Sequence, residues 1–362
     1  MSNSPFLTPT QSRARRALAA KRRRSRQLTA LALLALAVLI AGGVLALTSR
    51  SKSSAHGSSR RVVAHTAVKA PPAPALSLYG LPLAKPALAL TGIADPARDP
   101  IQLSFHHPPR AGLLFNLDTG QVLWELDPHM RVPVASLTKM MTALITVKSA
   151  PPAAPVLVTR QAVDSNGSKV GVLPLGRHVL LETMLYGLLL PSGNDAAVAL
   201  AQHVSGSVNA FVRQMNAEAA RLGMGCTRYS SPSGYYDSGN FSCAADLAEL
   251  ARADLAQPRI ARVTHTYSAV LPFPIKGGKL YLYNNNPLLI YRYPGTTGLK
   301  TGYTEAAGRC LVATAERHGV RLGVVILDST APGTEAKQLL DRGFHDVYHL
   351  PQVPETPMPA GA

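Results

Sequence analysis

The stretch "VPVASLTKMMTAL", Val132 to Leu144, places a serine at the start of an apolar helical run and a lysine three residues later. On a helix, residues three apart share a face, so the Ser136 hydroxyl and the Lys139 amine stack one turn apart. Pro133 suits a first turn, where backbone N–H groups lack partners within the helix and point outward. Those donors and the helix dipole favour negative charge developing beside the Ser136 Oγ. A serine hydroxyl is a weak nucleophile until a base takes its proton. A lysine acts as that base only if burial or a second cation pulls its pKa down. The pairing therefore has chemical meaning only if the rest of the chain brings another cation to it.

The chain has 362 residues, 46% of them apolar and 16% charged, a composition that fits a globular domain with a sizeable core. Its formal net charge of +17 is unevenly placed. Residues 1–94 hold 14 Lys or Arg and no Asp or Glu, leaving 23 basic against 20 acidic residues beyond them. The basicity belongs to an N-terminal arm, so no nucleic-acid partner is expected. In that arm "KRRRSRQ" runs into a charge-free segment from Gln27 to Ser49. About 20 apolar residues span a ~30 Å hydrocarbon core. A secretory apolar region is usually about 7–15 residues, so this one reads as an uncleaved anchor.

The expected organisation is a basic cytoplasmic tail over 1–27, a transmembrane signal anchor over 28–49 and a flexible linker over 50–104. A folded catalytic domain over 105–348 and a Pro-rich tail over 349–362 complete it. The excess of Lys and Arg before the span puts the N-terminus in the cytoplasm and the domain outside the cell membrane. Cleavage of the segment would make the protein secreted. The linker is rich in Ser, Ala and Pro, as in "SRSKSSAHGSSRR" and "KAPPAPALS". Of three cysteines, Cys226 and Cys243 are able to pair, and Cys310 suits a buried place in "RCLVATA". The chain has no C-x-x-C and no H-E-x-x-H, and neither a metal nor another cofactor is expected.

"AGLLFNLDTGQVLWEL" is a hairpin turning at Asp118-Thr119-Gly120. "LLETMLYGLLLP", apolar nearly all round, is a buried helix stopped by Pro191. "VNAFVRQMNAEAARLGM" is an amphipathic helix ending near Gly223, and "AADLAELARADL" is another. The last third returns to strands in "TTGLKTGYT", "GRCLVATAER" and "VRLGVVILD", before a helix in "EAKQLLDRGFHDVY". Strands at both ends and helices between them predict an α+β fold: one antiparallel sheet built from both ends of the domain, flanked by helices, with an inserted all-helical lobe.

"TTGLKTGYT" supplies the second cation, Lys300, followed by Thr301, Gly302 and Tyr303. Glycine weakens a strand and often marks where another backbone comes close. An edge strand here receives an extended peptide by main-chain pairing, and Tyr303 offers a second N–H for an oxyanion hole. "LLLPSGNDAA" ends the buried helix with Ser192, suited to relay a proton, and Asn194, suited to hold a carbonyl. Asp195 and Asp246 read as helix-start or structural acids.

S-x-x-K, S-x-N and K-T-G in this order resemble the penicillin-binding proteins and serine β-lactamases. The flanks, from "LLFNLDTGQVLWELDPHMRVPVASLTKMMTAL" to "GTTGLKTGYTEAAGRCLVATAERHGVRLGVVIL", are similar to the low-molecular-mass serine D-Ala-D-Ala carboxypeptidases. The resemblance implies an acyl-enzyme on Ser136 with Lys139 as base, formed from peptidoglycan stem peptides ending in D-Ala-D-Ala. It also implies acylation of Ser136 by β-lactam antibiotics. The alternatives are a D,D-endopeptidase, a β-lactamase of the same fold or an inactive wall-binding protein. The chain departs from the family's pattern in "SPSG", Ser231 to Gly234, and in Tyr303 after K-T-G. An arginine often found on the segment joining the sheet to the last helix is replaced around Thr334.

Overall fold

Strands from the two ends of the domain meet in the middle of one sheet. The computed structural model describes residues 75–78, 80–84, 88–92, 99–236, 238–354 and 358. All belong to the second of the chain's two units, Pro71–Ala362. The expected tail over 1–27, the anchor over 28–49 and most of the expected linker lie outside them. Among the described residues no helix is long and apolar enough to cross a membrane.

The main sheet takes β1 (Ala111–Asn116) and β2 (Val122–Leu126) from the start of the domain. Between these and the remaining strands come the helices. The longer ones are α1 (Lys139–Ser149), α2 (Leu181–Leu189), α3 (Asn194–Ser205), α4 (Val208–Arg221), α5 (Ala244–Leu255) and α6 (Pro258–His265). The chain closes with β3 (Thr296–Thr304), β4 (Gly308–Arg317), β5 (Val320–Ser329) and the helix α7 (Pro332–Arg342). The sheet order is β2-β1-β5-β4-β3, antiparallel throughout. β1 pairs with β5 from Ala111–Leu327 to Asn116–Leu322, so the first strand of the domain is locked by the last. This is the α+β arrangement expected from strands at both ends.

The strands read as unbroken apolar runs because both faces of the sheet are covered. Leu113, Phe115, Val312, Val325 and Leu327 face the helical lobe. Leu114, Leu311, Ala313, Val324 and Ile326 face the other way, onto Ala336, Leu339 and Leu340 of α7 and onto Phe344. The alternation follows the two-residue period of a strand. Two glycines make room for rings that cross the sheet. A Cβ at Gly323 would lie 2.4 Å from the Phe115 ring, and one at Gly112 would lie 2.9 Å from Trp124.

In the lobe, α2 is buried on nearly every side, as its lack of a polar face requires. The Ser207 hydroxyl caps α4 by accepting from Ala210 N–H at 3.2 Å. Gly223 follows the end of α4 at φ +80°. Short pieces that composition assigned to the linker lie along the outer edge of β2. Thr91 bonds Gly120 and Val122, and Ile101 donates to the Leu123 carbonyl at 3.0 Å. Arg252 of α5 donates to the Leu117, Asp118 and Leu88 carbonyls, tying helix, hairpin turn and this covering segment together. Backbone pairing of this kind shields an edge strand from other chains. The sequence reading omitted a hairpin, Ser268–Pro272 with Lys279–Tyr283. Its five-residue strands give too short an alternation to stand out.

Cys226 and Cys243 form a disulfide that ties the end of the α4 segment to the residue capping α5. His129 lies with them in a group whose ligand atoms fall within 4.8 Å of one another. The disulfide removes both thiolates a metal would need. Cys310 is buried, its thiol directed to the Ala307 carbonyl. Closing a loop of 17 residues stabilises by about 3 kcal/mol in the chain-entropy account. The double variant Cys226→Ala/Cys243→Ala is expected to lose about that much. Urea unfolding with an unchanged slope and a lower midpoint would show it, and an unchanged midpoint would refute it.

Candidate active site

The site is assembled where the first turn of the lobe meets the edge of the sheet. Ala135–Thr138 form a tight 3-10 turn that runs directly into α1. Ala135 sits at φ +46°, a left-handed conformation that costs a non-glycine residue about 1–3 kcal/mol. Ser136 follows it, half-buried. Lys139 occupies the first position of α1, wholly buried, and its Nζ lies 2.8 Å from the Ser136 Oγ and 2.8 Å from the Ser233 carbonyl. An amine held by one carbonyl keeps its lone pair available for the hydroxyl it faces. Burial holds the Lys139 pKa well below the usual lysine value, and the charge of Lys300 lowers it further, against a smaller opposing pull from Asp195. That meets the condition for a lysine to act as a general base.

Lys300 and the residues after it come from β3, the edge strand of the sheet. Lys300 is buried, and its Nζ donates to the Thr301 carbonyl at 2.8 Å. Burial lowers its pKa to about 7. Gly302 lets β3 approach the serine turn: a Cβ there would lie 3.0 Å from the Val134 carbonyl oxygen and 3.2 Å from the Ser136 nitrogen. Any side chain would push the strand from the nucleophile. Tyr303 is exposed at the rim.

Ser192 lies between α2 and α3 at φ +66°. Its hydroxyl is buried, with no hydrogen-bond partner among the described residues. Ser136, Ser192, Thr301, Gly302 and Tyr303 line one cavity of about 390 Å³. Asn194, the first residue of α3, is not among the lining residues. Its Nδ2 donates to the Asn166 carbonyl at 2.6 Å, and its Oδ1 is buried without a partner among the described residues. The second Nδ2 hydrogen is the one suited to a substrate carbonyl. Asp195 accepts from the N–H groups of Val170, Gly171 and Ala196, and so fixes the loop that carries Ser168 into the cavity wall. Asp246 accepts from Cys226 N–H and the Thr227 hydroxyl, a structural role away from the serine.

Several contributors carry no signature in the motifs. The Ser233 carbonyl, in the divergent "SPSG" loop, is the second anchor of Lys139, while the Pro232 carbonyl accepts from Thr142 Oγ1 at 2.7 Å. Gly234 in that loop sits at φ +74°, and a Cβ on it would fall 1.9 Å from the Ala135 carbonyl oxygen. Its glycine was the only signal. The cavity is also lined by Asn285 and Tyr291, beyond the hairpin, and by Arg309 of β4. No motif carries these, because their position depends on strand pairing.

A sequence profile described as D-alanyl-D-alanine carboxypeptidase matches residues 103–331. The Bacillus subtilis D-alanyl-D-alanine carboxypeptidase DacF is 33% identical over 246 residues, which are 66% of this chain and 62% of that protein. The chain thus spans less than two thirds of that relative's length. A Pseudomonas aeruginosa D-alanyl-D-alanine endopeptidase is 32% identical over 257 residues, 70% of this chain and 82% of the relative. Among solved structures, a D-alanyl-D-alanine carboxypeptidase from Mycobacterium tuberculosis superposes with a TM-score of 0.63 at 33% identity, over 71% of this chain and 97% of that one. With the serine, the two lysines and the K-T-G strand in one site, the chain belongs to the D-alanyl-D-alanine carboxypeptidase family of penicillin-binding proteins.

Proposed function

We propose that this domain is a serine carboxypeptidase that removes the terminal D-alanine from peptidoglycan stem peptides. The observation that carries the reading is the 2.8 Å contact between the buried Lys139 amine and the Ser136 hydroxyl. Neutral Lys139 takes the hydroxyl proton as Ser136 Oγ attacks the carbonyl carbon of the D-Ala-D-Ala amide. The oxyanion forms beside the Ser136 N–H at the mouth of the turn. Collapse of the tetrahedral species breaks the C–N bond. The nitrogen leaves as the amine of D-alanine, taking up a proton from the lysine by way of the Ser192 hydroxyl. Water then attacks the Ser136 ester and gives a proton to Lys139, which returns it to Ser136 Oγ as the Oγ–C bond breaks and the shortened peptide leaves. A β-lactam ring presents an amide carbonyl to the same serine and leaves an acyl-enzyme. The edge position of β3 suits an extended peptide lying alongside it.

The reading extends to the cell envelope. Residues 28–49 anchor the chain in the membrane with the domain on its outer side. The Cys226–Cys243 disulfide supports an oxidising compartment for the domain.

D-alanine release from a diacyl-Lys-D-Ala-D-Ala peptide tests the reaction. The wild type is expected to release it, and Ser136→Ala to fall by at least about 10³-fold, as loss of a nucleophile does elsewhere. Equal release by both would refute the assignment of Ser136. The pH dependence tests the base. Lys139 works only when neutral, so acylation by penicillin is expected to rise with pH well below the value near 10.4 at which a free lysine titrates. The charge of Lys300 lowers the Lys139 pKa. Lys300→Met therefore moves that rising limb to higher pH, and a limb that stays in place would show that Lys300 has no such role.

A further inference from the structure

The hairpin Ser268–Pro272 with Lys279–Tyr283 is seated on the lobe by one face only. Leu280 and Leu282 are buried, and Ala269 and Leu271 pack against the same core. By the two-residue period of a strand, Tyr281 and Tyr283 point the other way, and Val270 stands opposite Tyr281 across the ladder. All three are more than half exposed. The two tyrosines are roughly 7 Å apart along the strand, neighbours on one face. The hairpin carries only two charges, Lys276 and Lys279, both at its turn. Its other end leads from Tyr283 within two residues to Asn285, whose N–H is held by the Leu190 carbonyl and which lines the cavity of Ser136 and Ser192. The ring-bearing face thus begins beside the active-site wall and runs outward from it, uncharged where it is nearest the cavity.

We propose that the outer face of this hairpin, through Tyr281 and Tyr283, is the docking surface for the glycan strand that carries the stem peptide. The inference rests on the carboxypeptidase reading above and adds the sugar polymer to it as a partner. Sugar rings expose C–H groups on their faces and hydroxyl and amide groups at their edges. A tyrosine matches both, with an electron-rich ring face for the C–H groups and a phenol for the polar edges. The reach is adequate. A stem of about five residues spans at most about 17 Å, and Tyr283 lies at most about 7 Å along the chain from Asn285 on the cavity wall. Glycan and peptide are one molecule, so a weak contact at the rings holds the peptide near Ser136 at a high effective concentration. The turn presents Ile275 as its one exposed large apolar side chain, beside Lys276, Gly277 and Gly278. The rings stand back from it toward the cavity, which favours a polymer running into the site over a lipid surface met by the turn.

The test titrates the full chain with glycan strands freed of their peptides by an amidase, in wild type, Tyr281→Ala/Tyr283→Ala and Tyr281→Phe/Tyr283→Phe. The wild type is expected to bind the strands. The alanine pair should bind about 10- to 100-fold more weakly, the scale of two lost ring contacts, and the phenylalanine pair should keep most of the affinity. On diacyl-Lys-D-Ala-D-Ala, which has no sugar, kcat/KM should be the same in all three, and this also shows that the variants are folded. On stem peptides still attached to glycan, the alanine pair should lose a similar factor through KM, with kcat unchanged. Strands that bind no form of the protein, or bind wild type and alanine pair alike, overturn the assignment while the carboxypeptidase stands. Attachment to phosphatidylglycerol vesicles that weakens in the alanine pair, without binding of strands, overturns it in favour of a lipid surface. A wild type that releases no D-alanine from either substrate and is not labelled by penicillin overturns the carboxypeptidase reading, and strand binding then decides the hairpin face by itself.

Discussion

The structure is organised around the burial of two lysines next to one another. An ammonium group removed from water is costly unless it is paired or gives up its proton. Lys139 and Lys300 are both buried, and neither forms an ion pair among the described residues. Their partners are a hydroxyl and backbone carbonyls. Each pKa is depressed, Lys300 to about 7. The sign of the effect on stability follows. A lysine that binds its proton less readily when folded subtracts from stability once pH falls below its unfolded value near 10.4, and the loss grows until it levels off below the folded value. At neutral pH the site thus works against the fold, and the large shared core of sheet and lobe offsets it. The same burial lowers the Lys139 pKa, so the cost to stability and the basicity that the proposed mechanism needs have one cause.

Holding the pair requires backbone to approach backbone more closely than side chains permit. Gly302 brings the edge strand within reach of the Ser136 nitrogen, and Gly234 brings the "SPSG" loop under the Ala135 carbonyl. That loop carries the Ser233 carbonyl to Lys139. The two contacts come from opposite sides of the serine turn, one from the sheet and one from the lobe. The turn is thereby clamped in the strained conformation at Ala135, which no isolated peptide would keep. The position of the nucleophile is consequently a tertiary property, although the serine and the lysine are three residues apart.

This explains which parts were legible in the sequence. The sheet was, because β1, β4 and β5 carry largely apolar buried cores and the hairpin turn at Asp118–Gly120 is marked by its residue types. Ser136, Lys139, Ser192 and Lys300 stand in short motifs whose spacing singles them out, and the fold sets Lys139 against Ser136 with Ser192 on the same cavity wall. The Ser233 contribution was not, since a carbonyl oxygen is common to every residue and only the fold singles one out. Arg309 was hidden differently. It lies nine residues after Lys300, and only the β3–β4 register returns it beside Tyr303. The pieces over 88–92 and 99–103 read as linker because single backbone bonds to an edge strand leave no periodic trace.

Ser192 shows how far the fold is bent to this arrangement. It combines a left-handed backbone with a buried hydroxyl that has no partner among the described residues. Each feature costs on the order of 1–3 kcal/mol, and a glycine or an alanine there would avoid one or both. The turn cannot simply be swung aside. Gly193 N–H is held by the Gly187 carbonyl and Asn194 N–H by the Ser168 carbonyl, so both ends of the loop are fixed. Packing gains nothing from a hydroxyl at this point, which faces the same cavity as Ser136. A group that is unfavourable for the folded state and rigidly supported on the wall of the cavity that holds Ser136 fits the proton relay proposed for it.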